Sequence, residues 1–140
     1  KAHGMNLGGR YVFPFGSVKF VPALHSSGYE IDGVMTYMGE ASGIILEAED
    51  KKIYHAGDTA LFSDMRLFAK DKSIDVAFLP IGDNYTMGPE DALQAVSYLN
   101  PKITIPIHYN TFPVIQQNPA IFVEQVVGGK VLNPGETILV

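Results

Sequence analysis

The rhythm of apolar and polar positions changes near the middle of the chain. In the first half, apolar residues come in short runs broken by glycine and proline. Tyr11–Phe15 and Val18–Leu24 read as two strands joined at Gly16-Ser17, with Pro14 and Pro22 restricting them to edge or end positions. From His25 to about Ser42 no period is visible, and the stretch reads as a long loop, a feature that is usually functional. Gly43–Ala48 and Lys51–His55 flank Glu49-Asp50 as a hairpin.

Beyond residue 60 the spacing becomes helical, then alternates with strand-like runs. Leu61, Phe62, Met65 and Phe68 share one helix face. Ile74–Pro80 is almost continuously apolar, as in a strand buried on both faces. Gly88 and Pro89 open a second helix, Glu90-Asp91 suit the positive end of its dipole, and Asn100-Pro101 ends it. Ala92, Leu93, Val96 and Leu99 form its apolar stripe. Ile103, Ile105 and Ile107 alternate as a strand. Asn118-Pro119 starts a third helix that Gly128-Gly129 closes, and Val131–Leu132 and Thr137–Val140 read as short final strands. Strands alternating with helices predict right-handed crossovers and a largely parallel sheet, whereas the first half reads as antiparallel. The expected class is α/β (α+β), a mixed sheet in one domain over residues 1–140.

This topology brings polar residues to one place. The predicted strands end at His25-Ser26-Ser27, Gly57-Asp58-Thr59, Gly82-Asp83-Asn84 and His108-Tyr109-Asn110. If these strands lie side by side, the ends share one rim, where open α/β sheets hold ligands. Two histidines and one or two aspartates suit Zn²⁺, with Mn²⁺, Fe²⁺ or Ni²⁺ as rivals. Each residue also has an ordinary reading. Asp58 or Ser63 could cap the following helix, His108 could be a buried structural histidine, and Asp83-Asn84 could simply turn the chain. His55 falls inside a strand and is expected to stand behind the rim, and His3 has no local constellation. Tyr85, Tyr109 and Phe112 read as cleft walls or core.

Composition narrows the chemistry. The 140 residues contain no cysteine, so disulfides, thiolate metal sites and a cysteine nucleophile are excluded. That absence and the lack of an export signal fit a cytoplasmic location. No apolar run approaches the roughly 20 residues of a membrane span, so no membrane partner is expected. A formal charge of −5 disfavours nucleic acid as a partner. There is no G-x-S-x-G elbow, phosphate loop of the Walker type or G-x-G-x-x-G after a strand.

Taken in order, Gly4-Met5-Asn6-Leu7-Gly8-Gly9, Pro22-Ala23-Leu24-His25-Ser26-Ser27, Tyr54-His55-Ala56-Gly57-Asp58-Thr59, Met87-Gly88-Pro89-Glu90-Asp91-Ala92 and Pro106-Ile107-His108-Tyr109-Asn110 resemble the carboxyl-terminal half of a metallo-β-lactamase-superfamily hydrolase. The similarity is to the prokaryotic metal-dependent hydrolases related to L-ascorbate-6-phosphate lactonase. It implies one half of an αββα sandwich, with helices on one face of the sheet. It implies two divalent metals, commonly zinc, and a water or hydroxide between them. His25 resembles the third histidine, on the first metal. Asp58 resembles the bridging aspartate and the catalytic group that orients the hydroxide. His108 resembles the last ligand, on the second metal. Asn84, Tyr109 and Asn110 are the expected substrate-binding residues, and His55 and Thr59 the residues supporting the ligands.

The family's H-x-H-x-D-H motif occurs nowhere in the chain. The expectation is therefore a partial domain, a hydrolase of lactones, esters or phosphodiesters that is complete only with an amino-terminal half, upstream or separate. Two rival expectations are a non-catalytic half-domain that binds or assembles, including as a homo-oligomer, and an RNA-processing nuclease.

Overall fold

The structure is a computed structural model that describes residues 2–140. Its strands are β1 (Arg10–Phe13), β2 (Gly16–Pro22), β3 (Gly28–Ile31), β4 (Val34–Tyr37), β5 (Ser42–Ala48), β6 (Lys51–His55), β7 (Val76–Pro80) and β8 (Ile103–Ile107), and its α-helices are α1 (Pro89–Leu99) and α2 (Pro119–Glu124). Six strands form one sheet in the order β1-β2-β5-β6-β7-β8. The pairs from β1 to β6 are antiparallel, and β6-β7 and β7-β8 are parallel. The change of rhythm in the sequence thus marks the change from hairpins to crossovers.

The presumed loop after β2 is largely a second, two-stranded sheet of β3 and β4. Its turn is Asp32-Gly33, both residues at positive φ (51° and 79°), the geometry that matches hairpin twist. Its strands alternate poorly in polarity because neither face is buried: no strand residue falls in the buried class. The predicted helix near 61–68 is only a 3-10 turn, Ser63–Leu67, whose N-cap Phe62 offers no side-chain cap. Neither Asp58 nor Ser63 therefore acts as the helix cap that their spacing suggested.

The third helix stops at Glu124, well before Gly128-Gly129. Asn118 caps it, accepting from the Ala120 N–H at 3.0 Å. Beyond it, Thr104 N–H donates to Gly128 O (3.2 Å) and Lys130 N–H donates to Thr104 O (2.9 Å). These bonds draw the chain onto the free edge of β8 as a single parallel bridge between Thr104 and Gly129. That bridge replaces the expected strand at 131–132. Residues 137–140 form no strand either, and Leu139 is 98% exposed.

The core lies on one face of the sheet. Tyr54, Ala77 and Leu79 point from the strands onto Ala92, Ala95 and Leu99 of α1, with Phe122 of α2 and Met65 beside them, all buried. Each large apolar side chain contributes roughly 1.5–3 kcal/mol on burial. The opposite face also carries apolar residues. The registers align Val18, Leu46, Ile53 and Val76 in one row and Phe20, Ile44, His55 and Phe78 in the next. Toward β1 and β2 this face is open: Ile44 is 38% exposed, and among the described residues neither α-helix packs to any extent on β1, β2 or β5. Helices on one face and an apolar sheet surface on the other are what half of a sandwich presents.

Candidate metal centre

Because β5 runs antiparallel to both β2 and β6, the strands β2, β6, β7 and β8 all point the same way. Their carboxyl ends line one rim, which carries His25, Asp58, Asp83-Asn84 and His108 in the order the sequence suggested.

At that rim Asp58 and His108 meet, His108 Nε2 standing 3.4 Å from Asp58 Oδ2. Their side chains are 47% and 23% exposed, so the carboxylate faces outward while the ring is half-buried. Two glycines make the approach. Gly57 has φ +65°, and a Cβ there would lie 2.8 Å from Ser42 O, so only glycine lets β6 turn into Asp58 at this spot. A Cβ on Gly82 would run into His108 O and sit 3.0 Å from Ile115 Cβ. His108 itself takes φ 54°, and Asp83, Asn84 and Asn110 also have positive φ. Four non-glycine residues in that region at one rim are a concentration of backbone strain typical of working sites. Phe112 sets its ring edge-on to His108 at 6.5 Å, and Tyr85 lies beside Phe112 at 6.1 Å.

The other candidates take various positions. His25 is exposed, its Nδ1 2.8 Å from Ser26 O, so its ring is occupied with its own loop. The backbone that carries it is fixed close to Asp58. Leu24 N–H donates to Thr59 Oγ1 (2.9 Å) and Ala60 N–H donates to Leu24 O (3.0 Å). His55 Nδ1 accepts from the Gly57 N–H at 3.1 Å, and its ring stacks on Phe78. Burial pushes the His55 pKa down, against an upward pull from Asp58, which favours the neutral ring that such an acceptor needs. Asn84 is exposed at the rim. Asn110 Oδ1 accepts from the Gln117 N–H (2.8 Å), holding its own loop. Tyr109 packs against the core, and burial raises its pKa. His3 lies against Tyr11 (3.8 Å between ring centroids) at the far edge of the sheet, away from the rim.

Among the described residues no group of three or more His, Asp or Glu side chains is close enough to hold a metal ion. The donor pair still fits one side of such a site. His108 Nδ1 is buried and has no partner, so Nε2, beside the Asp58 carboxylate, is the ring nitrogen left to bind outward. One carboxylate oxygen and one imidazole nitrogen suit Zn²⁺ and its first-row neighbours. The pair has the donor types of part of such a centre, and the backbone that carries His25 is held at the same rim.

The family model for the beta-lactamase superfamily domain matches residues 1–109, and the chain belongs to that family. Over its whole length it is 97% identical to a protein of Enterococcus faecalis named UPF0173 metal-dependent hydrolase, of which it spans 62%. Among solved structures it is similar to Igni18, described as a novel metallo hydrolase, from Ignicoccus hospitalis. The TM-score there is 0.84 at 37% identity, over 97% of this chain and 59% of that one. The metallo-beta-lactamase fold protein YhfI of Bacillus subtilis shares the fold at 10% identity, with a TM-score of 0.67 over 94% of this chain and 52% of its own. The chain thus spans about three-fifths of the length of the Enterococcus and Ignicoccus relatives.

Gly82 is a rim residue whose role the sequence did not disclose. A glycine after a strand signals a close approach, but not which backbone approaches.

Proposed function

We propose that this chain supplies one side of a divalent-metal site for hydrolysis of a lactone, ester or phosphodiester. The observation that carries this reading is the 3.4 Å approach of His108 Nε2 to Asp58 Oδ2 at the converging strand ends. The names of the Enterococcus and Ignicoccus relatives, a metal-dependent hydrolase and a metallo hydrolase, support it. Asp58 and His108 would hold the cation, with His25 as a third ligand once its ring swings from Ser26 O. Such a cation, Zn²⁺ by donor type, supplies Lewis acidity and makes water available as a nucleophile near neutral pH. The chain's own residues do the rest. Asp58 offers its outward carboxylate to orient the attacking water. His55, accepting from Gly57 N–H, steadies the turn that aims Asp58. Asn84, exposed at the rim, would meet substrate, whereas Tyr109 and Asn110 would shape the wall through the core and the 110–117 loop.

The remaining ligands, and full activity, belong to the part of the relatives' length outside this chain. The open apolar face favours packing of that part, or of a second copy, against the sheet. The test measures metal content and hydrolysis of generic lactones, esters and phosphodiesters for the full-length protein and its Asp58→Ala variant. Loss of both supports the reading, and unchanged metal and activity would sink it. An assembly role without chemistry instead predicts an oligomer by light scattering that retains no Zn²⁺.

A further inference from the structure

We infer that Thr59 is a positioning residue, holding the His25 loop and the 83–87 loop in fixed relation to Asp58; this rests on the metal-site reading above. Thr59 directly follows the outward carboxylate, yet it is itself fully buried. Its hydroxyl accepts from Leu24 N–H (2.9 Å) and donates to Ala60 O (2.8 Å), so both its donor and an acceptor lone pair are used. Its carbonyl accepts from Met87 N–H (2.9 Å). Met87 O in turn accepts from Asp83 N–H (3.0 Å), which closes the 83–87 loop on itself. One side chain and one peptide group therefore tie together the ends of β2, β6 and β7. The tie on the β2 side is doubled, since Ala60 N–H also donates to Leu24 O (3.0 Å).

The consequence concerns His25. It is the residue after Leu24, and no side-chain contact joins its ring to Asp58. What sets its distance from Asp58 is the backbone clamp. A ligand held only through its neighbour's backbone is as well placed as the clamp is rigid, which is how supporting hydrogen bonds tune metal sites. Threonine suits the position because a buried hydroxyl can accept and donate at once. Valine matches its shape but would take away the acceptor of the Leu24 N–H and the donor to Ala60 O.

The test uses the full-length protein and Zn²⁺ alone, with affinity read by competition against a chelator and folding read by urea denaturation. Thr59→Val is expected to lose about 10–100-fold in Zn²⁺ affinity, the range typical of supporting partners, while Thr59→Ser stays close to wild type. Leu99→Ala, a core truncation at the far end of α1, is expected to lose stability and keep its affinity, which separates positioning from general weakening. If Thr59→Val is not recovered folded, Thr59→Ala takes its place. Wild-type affinity in the valine variant, or equal losses in the serine and valine variants, would overturn the proposal. A wild type that binds Zn²⁺ no better than Asp58→Ala would instead overturn the metal-site reading, and this proposal with it.

Discussion

His108 Nε2 lies 3.4 Å from Asp58 Oδ2, although the two residues leave strands separated by the whole of β7. The contact exists because β6, β7 and β8 run parallel in register, so that their ends arrive together. If the pair is one side of a metal site, Asp58→Asn keeps the volume and removes the anionic donor. The expected loss of metal affinity exceeds the roughly 10–100-fold that a supporting residue costs. Metal analysis after dialysis checks it, with urea denaturation to confirm that the fold survives.

Gly82 makes a separate demand on the same contact. An added methyl there would meet His108 O and Ile115 Cβ, one of them backbone that cannot rotate away. Gly82→Ala is therefore expected to destabilise the protein by about 1–3 kcal/mol, as overpacking does. If His108 is a metal ligand, the same change should also weaken metal binding, because the strain falls on that residue. Denaturant midpoints and metal titration on the same preparation measure both effects.

Buried Thr104 offers a change in the opposite direction. Its Oγ1 is fully buried on β8 and has no partner. An unpaired buried hydroxyl costs roughly 1–3 kcal/mol by mutational data. Thr104→Val removes that cost at nearly constant shape, so stability should rise by about 1 kcal/mol with no effect at the rim. A thermal or urea denaturation series decides this.

How much of this was legible in the sequence depends on what each residue answers to. That the ends of the strands before His25, Asp58, Asp83 and His108 share one rim could be read once those strands were taken to lie side by side; that Asp58 and His108 alone of the four come into contact could not. The β3–β4 hairpin could not be read from periodicity, since a ribbon with no buried face has no reason to alternate; the Asp32-Gly33 turn was its one signal. The early end of α2 was equally hidden. Its cause is the pairing of 128–130 with Thr104, a contact to the edge of β8 rather than a local preference. At the rim, residue types were legible and partners were not. Nothing local shows that Asn110 spends its carbonyl oxygen on Gln117 N–H, or that Tyr109 turns to the core.

The last prediction concerns acid. Asp75 is buried, with Oδ1 accepting from Lys102 Nζ (2.8 Å) and Oδ2 from the Lys52 backbone N–H (2.8 Å). The Lys102 hydrogen bond is the main cause that holds its carboxyl below the ordinary value of 3.8, with help from the Lys52 N–H and against the cost of burial. A folded-state pKa below the unfolded one means that this stabilisation is complete above about pH 4. It is lost as the pH falls through the folded value, because the unfolded chain takes up the proton first. Lys102→Met removes the ammonium and brings the two pKa values closer together. Lys102 is largely exposed (65%), so the penalty at neutral pH is modest, about 1 kcal/mol. The difference between wild type and variant should shrink as the pH drops below about 4 toward the depressed folded value, and vanish below it, where Asp75 is protonated in both. Urea midpoints measured from pH 7 down to the acid limit of solubility give the comparison. A gap that stays constant through that window would show that the Lys102–Asp75 pair is not what couples stability to acid.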